Sequence, residues 1–375
     1  MSKGDEMMRK GLWFLLAIGS PLSAQTLSFE RLDVPTATHP YNLEIGDLDA
    51  DGRLDLAFVS QVGGTLGVAW NRGEGMFDVV EVADALARPE ALALLDLDGD
   101  GALDLLVAEA DEDRIRSFMN RGDGVFQDGA TTEVGASPHA LVVADLDQDG
   151  DGDLLVSNFR GGSLSVALNG DVGLEVVGEL AAGGGTERPA LADLDGNGTL
   201  DVALPTFMEG VLHLFLNDGA ARFTAAESIA LGSRQHIPSA GDVDGDGDRD
   251  LIVTSSGSGE VFLLGNDPAG EMDPITIDLL WETPWAAVLE DLTGDGNVDV
   301  AVAEYSGHRI TVLGGDGSGG FERVGSYPVG QRPHQVVAGD LDGDGRLDLA
   351  TANDADAFLT LLLSSGWPPE IGPDR

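Results

Sequence analysis

The chain has 375 residues, a formal net charge of −46 and no cysteine, with 66 acidic residues against 20 basic ones. Hydrophobic residues make up 42% of it, which is enough for a packed core and excludes a disordered acidic tail. The lack of cysteine excludes a disulfide-stabilised scaffold, and the negative charge argues against nucleic acid as a partner, because a polyanion repels phosphate.

The first 24 residues have the pattern of an export signal. Basic residues at 9–10 precede a short apolar run over 12–18, and small residues at 23–24 offer a cleavage site. The apolar run is too short to span a bilayer. The alternative is a buried N-terminal strand or helix. The sequence therefore predicts a signal peptide over 1–24, no transmembrane segment, and a secreted protein located outside the cell or in the periplasm.

From residue 47 onward, one acidic motif recurs seven times. Its pattern is Asp-x-Asp-x-Asp-Gly-x-x-Asp, and the first residues of successive copies are separated by 49, 49, 48, 49, 49 and 49. Such a regular period is typical of a repeat architecture. The copies fill the chain after the signal, so we expect a single domain over 25–375.

Each period also contains four short apolar stretches bounded by Gly, Asn and Asp. Examples are residues 91–95 before the acidic motif, 105–108 after it, and the alternating run 163–168 in the next period. Runs of this length with such boundaries are strands rather than helices. Four strands in about 49 residues match one propeller blade, with the acidic motif joining its first strand, A, to its second, B. The sequence therefore predicts an all-β fold, a seven-bladed β-propeller of four-stranded blades.

The two ends of the chain complement each other. The seventh repeat stops after its third strand, over 358–363, and lacks a fourth. A spare strand precedes the first blade, over 26–34. We expect it to complete the last blade and close the ring, which hides the seam that an open array would expose.

The repeated motif has the composition of a calcium-binding loop. Aspartate stands at loop positions 1, 3, 5 and 9 in nearly every copy, and position 6 is glycine in all seven. Glycine there permits the sharp left-handed turn that a loop around an ion needs. Position 7 varies freely, as a backbone carbonyl ligand would allow. Three side-chain oxygens, this carbonyl and the last aspartate give about six hard oxygen ligands, which suit Ca²⁺ better than Mg²⁺.

The predicted calcium ligands therefore occupy positions 1, 3, 5, 7 and 9 of each loop. In loops one to four they are Asp47, Asp49, Asp51, Arg53, Asp55, Asp96, Asp98, Asp100, Ala102, Asp104, Asp145, Asp147, Asp149, Asp151, Asp153, Asp193, Asp195, Asn197, Thr199 and Asp201. In loops five to seven they are Asp242, Asp244, Asp246, Asp248, Asp250, Asp291, Thr293, Asp295, Asn297, Asp299, Asp340, Asp342, Asp344, Arg346 and Asp348. Because Asn197 and Thr293 each replace a carboxylate, we expect the fourth and sixth of up to seven calcium sites to bind more weakly.

The alternative interpretation is a set of Asp/Gly turns that hold no ion. Four carboxylates within nine residues repel one another strongly unless a cation is present, and the arrangement occurs seven times. The first six positions also match an EF-hand loop, but the last ligand here is Asp at position 9 rather than Glu at 12, and no helices flank it. The motif therefore predicts a calcium loop between two strands.

The loop, together with a later turn of pattern Asn-x-Gly-x-Gly-x-Phe, resembles FG-GAP/VCBS repeats. These repeats form the blades of the integrin α-subunit propeller and of many bacterial exported proteins. The resemblance covers residues 26 to about 365 and implies calcium between the first two strands of each blade. The turn is weaker at 169–170 and 266–267. The family includes adhesion subunits, lectins and parts of polysaccharide-degrading enzymes, so the resemblance implies fold and metal rather than activity.

A second group of residues lies in the predicted connections on the face opposite the calcium loops. Five of the six histidines and several arginines fall there, beside prolines that precede the A strands or within B-to-C turns. The candidate ligand-binding residues are His39, Arg88, His139, Arg160, Arg188, His236, Trp285, Tyr305, His308, Arg332 and His334. They suggest a surface for an anion or a glycan, since binding sites concentrate in loops on one face of a rigid scaffold. The alternative is that proline merely starts each strand and its neighbours are solvated.

The sequence contains no recognisable catalytic motif, and its aspartates are assigned to metal, so no catalytic residue is predicted. We therefore expect a monomeric, non-catalytic binding or adhesion module with a protein or glycan ligand. The alternative is a polysaccharide lyase or hydrolase, or a lectin, that uses the same Arg/His-bearing face.

Overall fold

The computed structural model describes residues 27–170, 173–232, 234–266, 272, 274–277 and 281–365. The predicted signal peptide lies outside these residues. Over the described part of the chain the secondary structure is entirely strand, turn and bend, as the all-β prediction requires. No helix there is long and apolar enough to cross a membrane.

The strands form seven separate sheets, which are the blades of the propeller. The chain starts with β1 (Phe29–Pro35) and continues into blade one, which consists of β2 (Asn42–Gly46), β3 (Asp55–Ser60), β4 (Thr65–Asn71) and β5 (Phe77–Ala83). Blade two consists of β6 (Pro89–Leu95), β7 (Asp104–Glu109), β8 (Arg114–Met119) and β9 (Gln127–Glu133). Blade three consists of β10 (Pro138–Ala144), β11 (Asp153–Asn158), β12 (Ser163–Leu168) and β13 (Glu175–Ala181).

Blades four and five have shorter first and last strands. Blade four consists of β14 (Ala190–Ala192), β15 (Asp201–Pro205), β16 (Val211–Asn217), β17 (Phe223–Ala225) and β18 (Ile229–Ala230). Blade five consists of β19 (Ser239–Gly241), β20 (Asp250–Ser255), β21 (Glu260–Leu264) and β22 (Pro274–Thr276). Their A strands begin directly after Pro189 and Pro238, which lie three positions nearer to the acidic loop than the prolines of the other blades.

The last two blades return to the full pattern. Blade six consists of β23 (Pro284–Glu290), β24 (Asp299–Glu304), β25 (Arg309–Gly315) and β26 (Phe321–Pro328). Blade seven consists of β27 (Pro333–Gly339), β28 (Asp348–Asn353), β29 (Phe358–Ser364) and β1. In blade four the outer strand is divided into β17 and β18, which both pair with β16. With these two segments counted as one strand, the prediction of seven four-stranded blades is confirmed.

The N-terminal strand closes the ring as predicted. β1 pairs antiparallel with β29, from Phe29 opposite Ser364 to Pro35 opposite Phe358. Val34 on this strand is buried against residues of blades one and seven. Blade seven is therefore assembled from both ends of the chain.

The hydrophobic core lies between blades rather than within one. Each of seven clusters joins residues of two neighbouring blades around the ring. In one of them, Leu48, Val59 and Leu66 of blade one pack with Leu92 and Val107 of blade two. The B strands, such as β3, are buried along their whole length, because both faces of each blade are covered. No blade can bury its apolar faces alone.

The strand order places the functional loops on opposite faces. Within each antiparallel sheet the A-to-B loops and the C-to-D turns lie at one end, and the B-to-C turns and D-to-A connections lie at the other. The A strands line the centre: Arg188 Nη1 beside β14 lies 2.8 Å from Glu44 Oε1 on β2, so blades four and one meet across the axis.

Candidate functional site

The acidic loops share one network of backbone hydrogen bonds. In every loop, the carboxylate at position 1 accepts a hydrogen bond from the N–H of the glycine at position 6, at 2.7–3.2 Å. The side-chain oxygen at position 5 accepts one from the N–H at position 7, at 2.7–3.0 Å. All seven glycines have φ between 85° and 99°, the left-handed region that the sequence predicts for this position.

The aspartate at position 9 has a second role that the sequence did not reveal. One of its oxygens accepts a hydrogen bond from a backbone N–H near the start of its own loop, at 2.7–3.0 Å. The other accepts one from the N–H sixteen residues later, at the end of strand C, at 2.6–2.9 Å. All seven carboxylates are buried, so this residue anchors the loop to the next turn.

Burial makes the charge at position 9 costly. It raises the pKa of Asp55 and of Asp348 to about 6, and it also raises the pKa of the other five position-9 aspartates. Neighbouring loop carboxylates add to the rise. A cation between these groups would favour their charged forms and offset both effects.

The arrangement of carboxylates fits a calcium ion. In four loops, ligand oxygens at positions 1, 3 and 9 lie within 4.8 Å of one another, and in a fifth those at positions 1, 3 and 5 do so. Asp49 Oδ1 is buried with no hydrogen-bond partner among the described residues. An orphaned carboxylate oxygen inside a cluster of carboxylates is the donor set that Ca²⁺ prefers.

Some side chains at position 7 make specific contacts, although the sequence suggested that any residue would serve there. The guanidinium groups of Arg53 and Arg346 pair with Asp51 and Asp344, the position-5 carboxylates of their own loops. Arg53 Nε also donates to the carbonyl oxygen of Asn71, at 2.9 Å. In the fourth loop the hydroxyl of Thr199 donates to Asn217 O in the same way, at 2.9 Å. The backbone carbonyl at this position remains a predicted ligand.

The two deviating loops keep the network with small changes. Asn197 at position 5 still accepts the Thr199 N–H through its side-chain oxygen, at 2.7 Å. In the sixth loop, the N–H that reaches Asp299 comes from Thr293 at position 3, at 2.7 Å, whereas other loops use position 2. The sixth loop therefore has a different local hydrogen-bond register, and its weaker affinity for calcium stays a prediction.

An asparagine at the end of strand C links neighbouring blades on this face. Asn71 Nδ2 donates to Leu341 O in the loop of blade seven at 2.7 Å, and Asn120 Nδ2 donates to Leu48 O in the loop of blade one at 2.7 Å. Asn217 and Asn266 reach the preceding loop in the same way. The sequence indicates that these asparagines form turns, whereas the structure shows that their side chains also donate hydrogen bonds to the neighbouring blade.

On the opposite face, one residue of each blade meets at the mouth of the central channel. These residues lie six positions before each acidic loop, and we call them the mouth ring. The mouth ring consists of Tyr41, Glu90, His139, Glu187, His236, Trp285 and His334. Sequence reasoning missed Tyr41 and Glu90, because it selected mainly histidines and arginines in these connections. It missed Glu187 because Pro189 follows this residue instead of preceding it. Their constant offset from the loop aspartate was the signal that could have found them.

One half of the mouth ring is a chain of carboxylates and imidazoles. His139 Nδ1 lies 3.5 Å from Glu90 Oε2, and its Nε2 lies 3.3 Å from Glu187 Oε2. His236 Nδ1 lies 3.9 Å from Glu187 Oε1. Burial lowers the pKa of His139, but the carboxylates of Glu187 and Glu90 outweigh this effect and raise the pKa to about 10. Burial lowers the pKa of His236 to about 4. One imidazole is therefore charged at neutral pH and its neighbour is not.

The other half of the mouth ring is an aromatic stack. The ring centroids of Trp285 lie 3.8 Å from His236, 4.6 Å from Tyr305 and 5.3 Å from His334. The ring of Tyr41 lies 3.9 Å from that of His334. These aromatic groups come from blades one, five, six and seven, so they converge even though no aromatic residue repeats along the sequence.

The predicted ligand-binding residues divide into three sets. His139, His236, Trp285, Tyr305 and His334 meet at the mouth ring, as the contacts above describe. The cations of the second set are partly neutralised, since Arg88 pairs with Glu90 and Asp111, and Arg188 with Glu44. Arg332 lies over the ring of Tyr305, with 5.8 Å between its guanidinium carbon and the ring centroid. The third set, His39, Arg160 and His308, is exposed to solvent.

The backbone before the mouth ring is held in an unusual conformation. The residue two positions earlier has positive φ in six blades: Arg88, Ser137, Gly185, Arg234, Thr283 and Arg332. Its carbonyl oxygen accepts a hydrogen bond from the N–H of the first residue after strand B, or of the second in blade four, at 2.7–3.1 Å. A left-handed non-glycine residue costs roughly 1 kcal/mol, and such strain clusters at functional sites. The repeated bond holds that conformation in place and fixes the position of the mouth ring.

Comparison with protein families identifies the repeat. The FG-GAP-like repeat family matches residues 47–107, 96–156, 145–204 and 291–351, and the FG-GAP repeat family matches residues 236–271. Together these matches cover more than half of the chain. No curated protein matches the sequence significantly.

Several solved structures share the fold. BBS1N, from a complex with ARL6DN, is 14% identical with a TM-score of 0.67, over 93% of this chain and 98% of that one. Virginiamycin B lyase from Staphylococcus aureus is 13% identical with a TM-score of 0.63, over 90% and 100%. Hydrazine synthase from Kuenenia stuttgartiensis is 17% identical with a TM-score of 0.65, over 89% and 97%. At these identities the likeness concerns the propeller alone.

Proposed function

The chain belongs to the FG-GAP repeat family, and on that basis we propose that it is an exported, non-catalytic binding module. Up to seven calcium ions in the acidic loops stabilise the propeller, and a protein or glycan ligand binds at the mouth ring. The propeller fold suits such a role, since rigid scaffolds commonly present binding residues from loops on one face. BBS1N, a propeller of the same fold, was solved in a complex with ARL6DN.

The observation that carries the ligand site is the convergence of aromatic and ionisable side chains at the mouth ring. The ring of Trp285 stacks on that of Tyr305, and the guanidinium of Arg332 lies over the Tyr305 ring. Aromatic faces of this kind stack on sugar rings and on aromatic side chains of proteins. The ion pairs of Arg88 and Arg188 argue against a site that recognises an anion through these arginines alone.

The ligand proposal is tested by a glycan array in calcium-containing buffer, followed by titration calorimetry with each hit. Trp285→Ala and Arg332→Ala should each weaken binding about tenfold or more. Arg323→Ala is the matched control, because Arg323 is exposed on the outer strand β26 and should leave binding unchanged. Equal affinity of all four proteins for every ligand would place the site elsewhere.

The calcium proposal is tested separately by thermal melting with excess Ca²⁺ and with EDTA. A ligand that binds only the folded state adds about 2.7 kcal/mol per site when present at 100 times its Kd. We therefore expect a large fall in Tm on chelation and its recovery with added Ca²⁺. A melting curve that EDTA leaves unmoved would show that the acidic loops need no ion.

A second candidate is an enzyme acting on polysaccharides at the same face. The observation that favours it is His139 between two carboxylates, an arrangement in which protons can be exchanged. Virginiamycin B lyase has the same propeller fold, and a catalytically inactive variant of it has been solved with quinupristin bound. That protein shows that a propeller of this fold can be an enzyme. Ultraviolet absorbance of the unsaturated product from acidic polysaccharides would reveal lyase activity, and reducing-end assays would reveal hydrolysis.

A further inference from the structure

We propose that His139, Glu187 and His236 of the mouth ring bind one divalent transition-metal ion of the zinc class. This site differs from the calcium loops in its place, at the opposite face of the propeller, and in its chemistry, since two of its three ligands are imidazoles. It depends neither on calcium in the loops nor on the identity of the ligand at the mouth ring.

The spacing of the ligand atoms supports the site. Glu187 presents one carboxylate oxygen to each histidine, with Oε2 at 3.3 Å from His139 Nε2 and Oε1 at 3.9 Å from His236 Nδ1. Two ligands of a tetrahedral ion at about 2.0–2.1 Å lie roughly 3.4 Å apart. The first distance already matches this value. Because His236 faces the other carboxylate oxygen, Glu187 must rotate and His236 must approach by at least about half an ångström for both imidazoles to share one ion with it.

The second ring nitrogen of each histidine has the kind of partner that metal-binding histidines usually have. His236 Nε2 lies 2.7 Å from the hydroxyl oxygen of Ser256, and His139 Nδ1 faces Glu90 Oε2 at 3.5 Å. Such outer contacts fix the tautomer and the ring orientation, and a carboxylate partner makes the imidazole a better ligand. Gln61 holds Glu90 in place, because its Nε2 donates to the same oxygen at 2.8 Å.

An unpaired atom points independently to a ligand. His236 is completely buried, and its Nδ1 has no hydrogen-bond partner among the described residues, although Glu187 lies nearby. A buried polar atom left unpaired costs about 1–3 kcal/mol. A metal ion between Glu187 and His236 would use this lone pair, whereas a proton shared by His139 and the two glutamates would not.

The donor set selects the class of ion. Imidazole nitrogen with carboxylate oxygen suits zinc and neighbouring first-row ions, whereas Ca²⁺ and Mg²⁺ prefer oxygen alone. Three protein ligands leave the fourth position of a tetrahedral ion for water or for a ligand oxygen. The site would then lie beside the Trp285 ring, which stacks on His236, so that a bound molecule could contact both.

The test is titration of the full chain, freed of transition metals, with ZnCl₂ in buffer that contains millimolar CaCl₂ to saturate the acidic loops. Zinc must displace the proton that Glu187 and Glu90 favour on His139, so binding releases a proton and tightens as pH rises. We expect one equivalent of zinc with a Kd of about 1 µM or lower. His236→Gln and Glu187→Gln should each weaken binding at least tenfold. His213→Gln is the matched control, because its Nε2 is also buried without a partner but lies on β16, away from the mouth ring.

Cobalt substitution keeps the test decisive if a variant fails to fold. Co²⁺ bound to the wild-type chain should give the intense visible absorption of a tetrahedral site, and X-ray absorption should detect two imidazole ligands. Zinc binding below half an equivalent, unchanged affinity in both variants, or an all-oxygen Co²⁺ spectrum would each overturn the proposal. None of these results would affect the calcium melts, so the two proposals fail separately.

Discussion

Replacing Asp104 with alanine should destabilise the propeller even when no calcium is present. Asp104 is fully buried at position 9 of the second loop. Its two oxygens accept hydrogen bonds from Leu97 N at 2.9 Å and from Asn120 N at 2.6 Å. The substitution leaves both N–H groups without this acceptor and separates the loop from the end of strand C.

The size of the effect follows from these two bonds. Each buried group left unpaired costs about 1–3 kcal/mol, so the pair gives about 2–6 kcal/mol. Burial raises the pKa of Asp104, so its removal also relieves part of the cost of a buried charge. We therefore expect the lower half of the range, about 2–4 kcal/mol, which corresponds to a fall in Tm on the order of 3–6 °C for a domain of this size.

The assay compares Asp104→Ala with Asp98→Ala by urea denaturation and thermal melting, in EDTA and in excess Ca²⁺. Asp98, at position 3 of the same loop, is exposed, and its Oδ1 accepts one long hydrogen bond from Asp100 N at 3.3 Å. In EDTA its replacement should cost less than about 1 kcal/mol. In Ca²⁺ both variants should lose the stabilisation that this site supplies. If both variants match the wild type in EDTA, position 9 is a ligand alone and the anchoring role is wrong.

Three further outcomes are expected. Asn120→Ala removes the tie to Leu48 O in the neighbouring blade and should lower the free energy of unfolding by about 1–3 kcal/mol; an unchanged urea midpoint would contradict it. Deleting residues 25–35 should lower Tm sharply and promote self-association, measured by light scattering, because it exposes the edge of blade seven; a monomer with the wild-type Tm would refute ring closure by this strand. Burial raises the pKa of Glu304, but hydrogen bonds from Arg309 and Thr311 lower it further, so that it lies below its usual value. The contribution of Glu304 to folding stability is therefore complete above about pH 4.5 and is lost as pH falls through the lowered pKa. Glu304→Gln should therefore lower Tm at pH 7 and have little effect near pH 2, and an equal loss at both would exclude the linkage.

The features that could be predicted from the sequence are those that repeat. The period, the four strands of each blade, the glycine turn and the closing strand each depend on local patterns that occur several times. Because the pattern occurs seven times, a strand that is weakly marked in one repeat, such as the short β19, can be recognised from the other repeats. The position of the acidic loops on one face follows from the strand order alone.

The chemistry of the mouth ring could not be predicted in the same way. Proline precedes the ring residue in most blades, but Pro189 and Pro238 follow Glu187 and His236 by two positions. Alignment on proline therefore shifts the register in blades four and five and hides Glu187. The contacts themselves also join different blades, as between His139 and Glu187. The sequence shows that these blades are neighbours, but it does not show which side chains reach one another at the channel.

The double role of the position-9 aspartate was hidden for a different reason. The predicted role as a calcium ligand is enough to explain an aspartate at position 9, so the sequence gives no sign that its carboxylate also accepts backbone hydrogen bonds. The partner is a backbone N–H sixteen residues away, a group that every residue except proline carries and that leaves no mark on composition. Only the fold shows that calcium binding and loop anchoring use the same carboxylate.

The pairing of β1 with β29 also constrains how the chain reaches its folded state. The two strands are separated by more than 300 residues, as the contact between Ser28 and Ser365 illustrates with a separation of 337. Among the described strands, β1 is synthesised first and β29, with which it pairs, is synthesised last. Blades one to six can each form from contiguous segments, whereas blade seven must wait for a contact of very high sequence separation, which is slow to form. Until β29 is available, β1 lacks this partner, and we expect the pairing that joins the two ends of the chain to form late in folding.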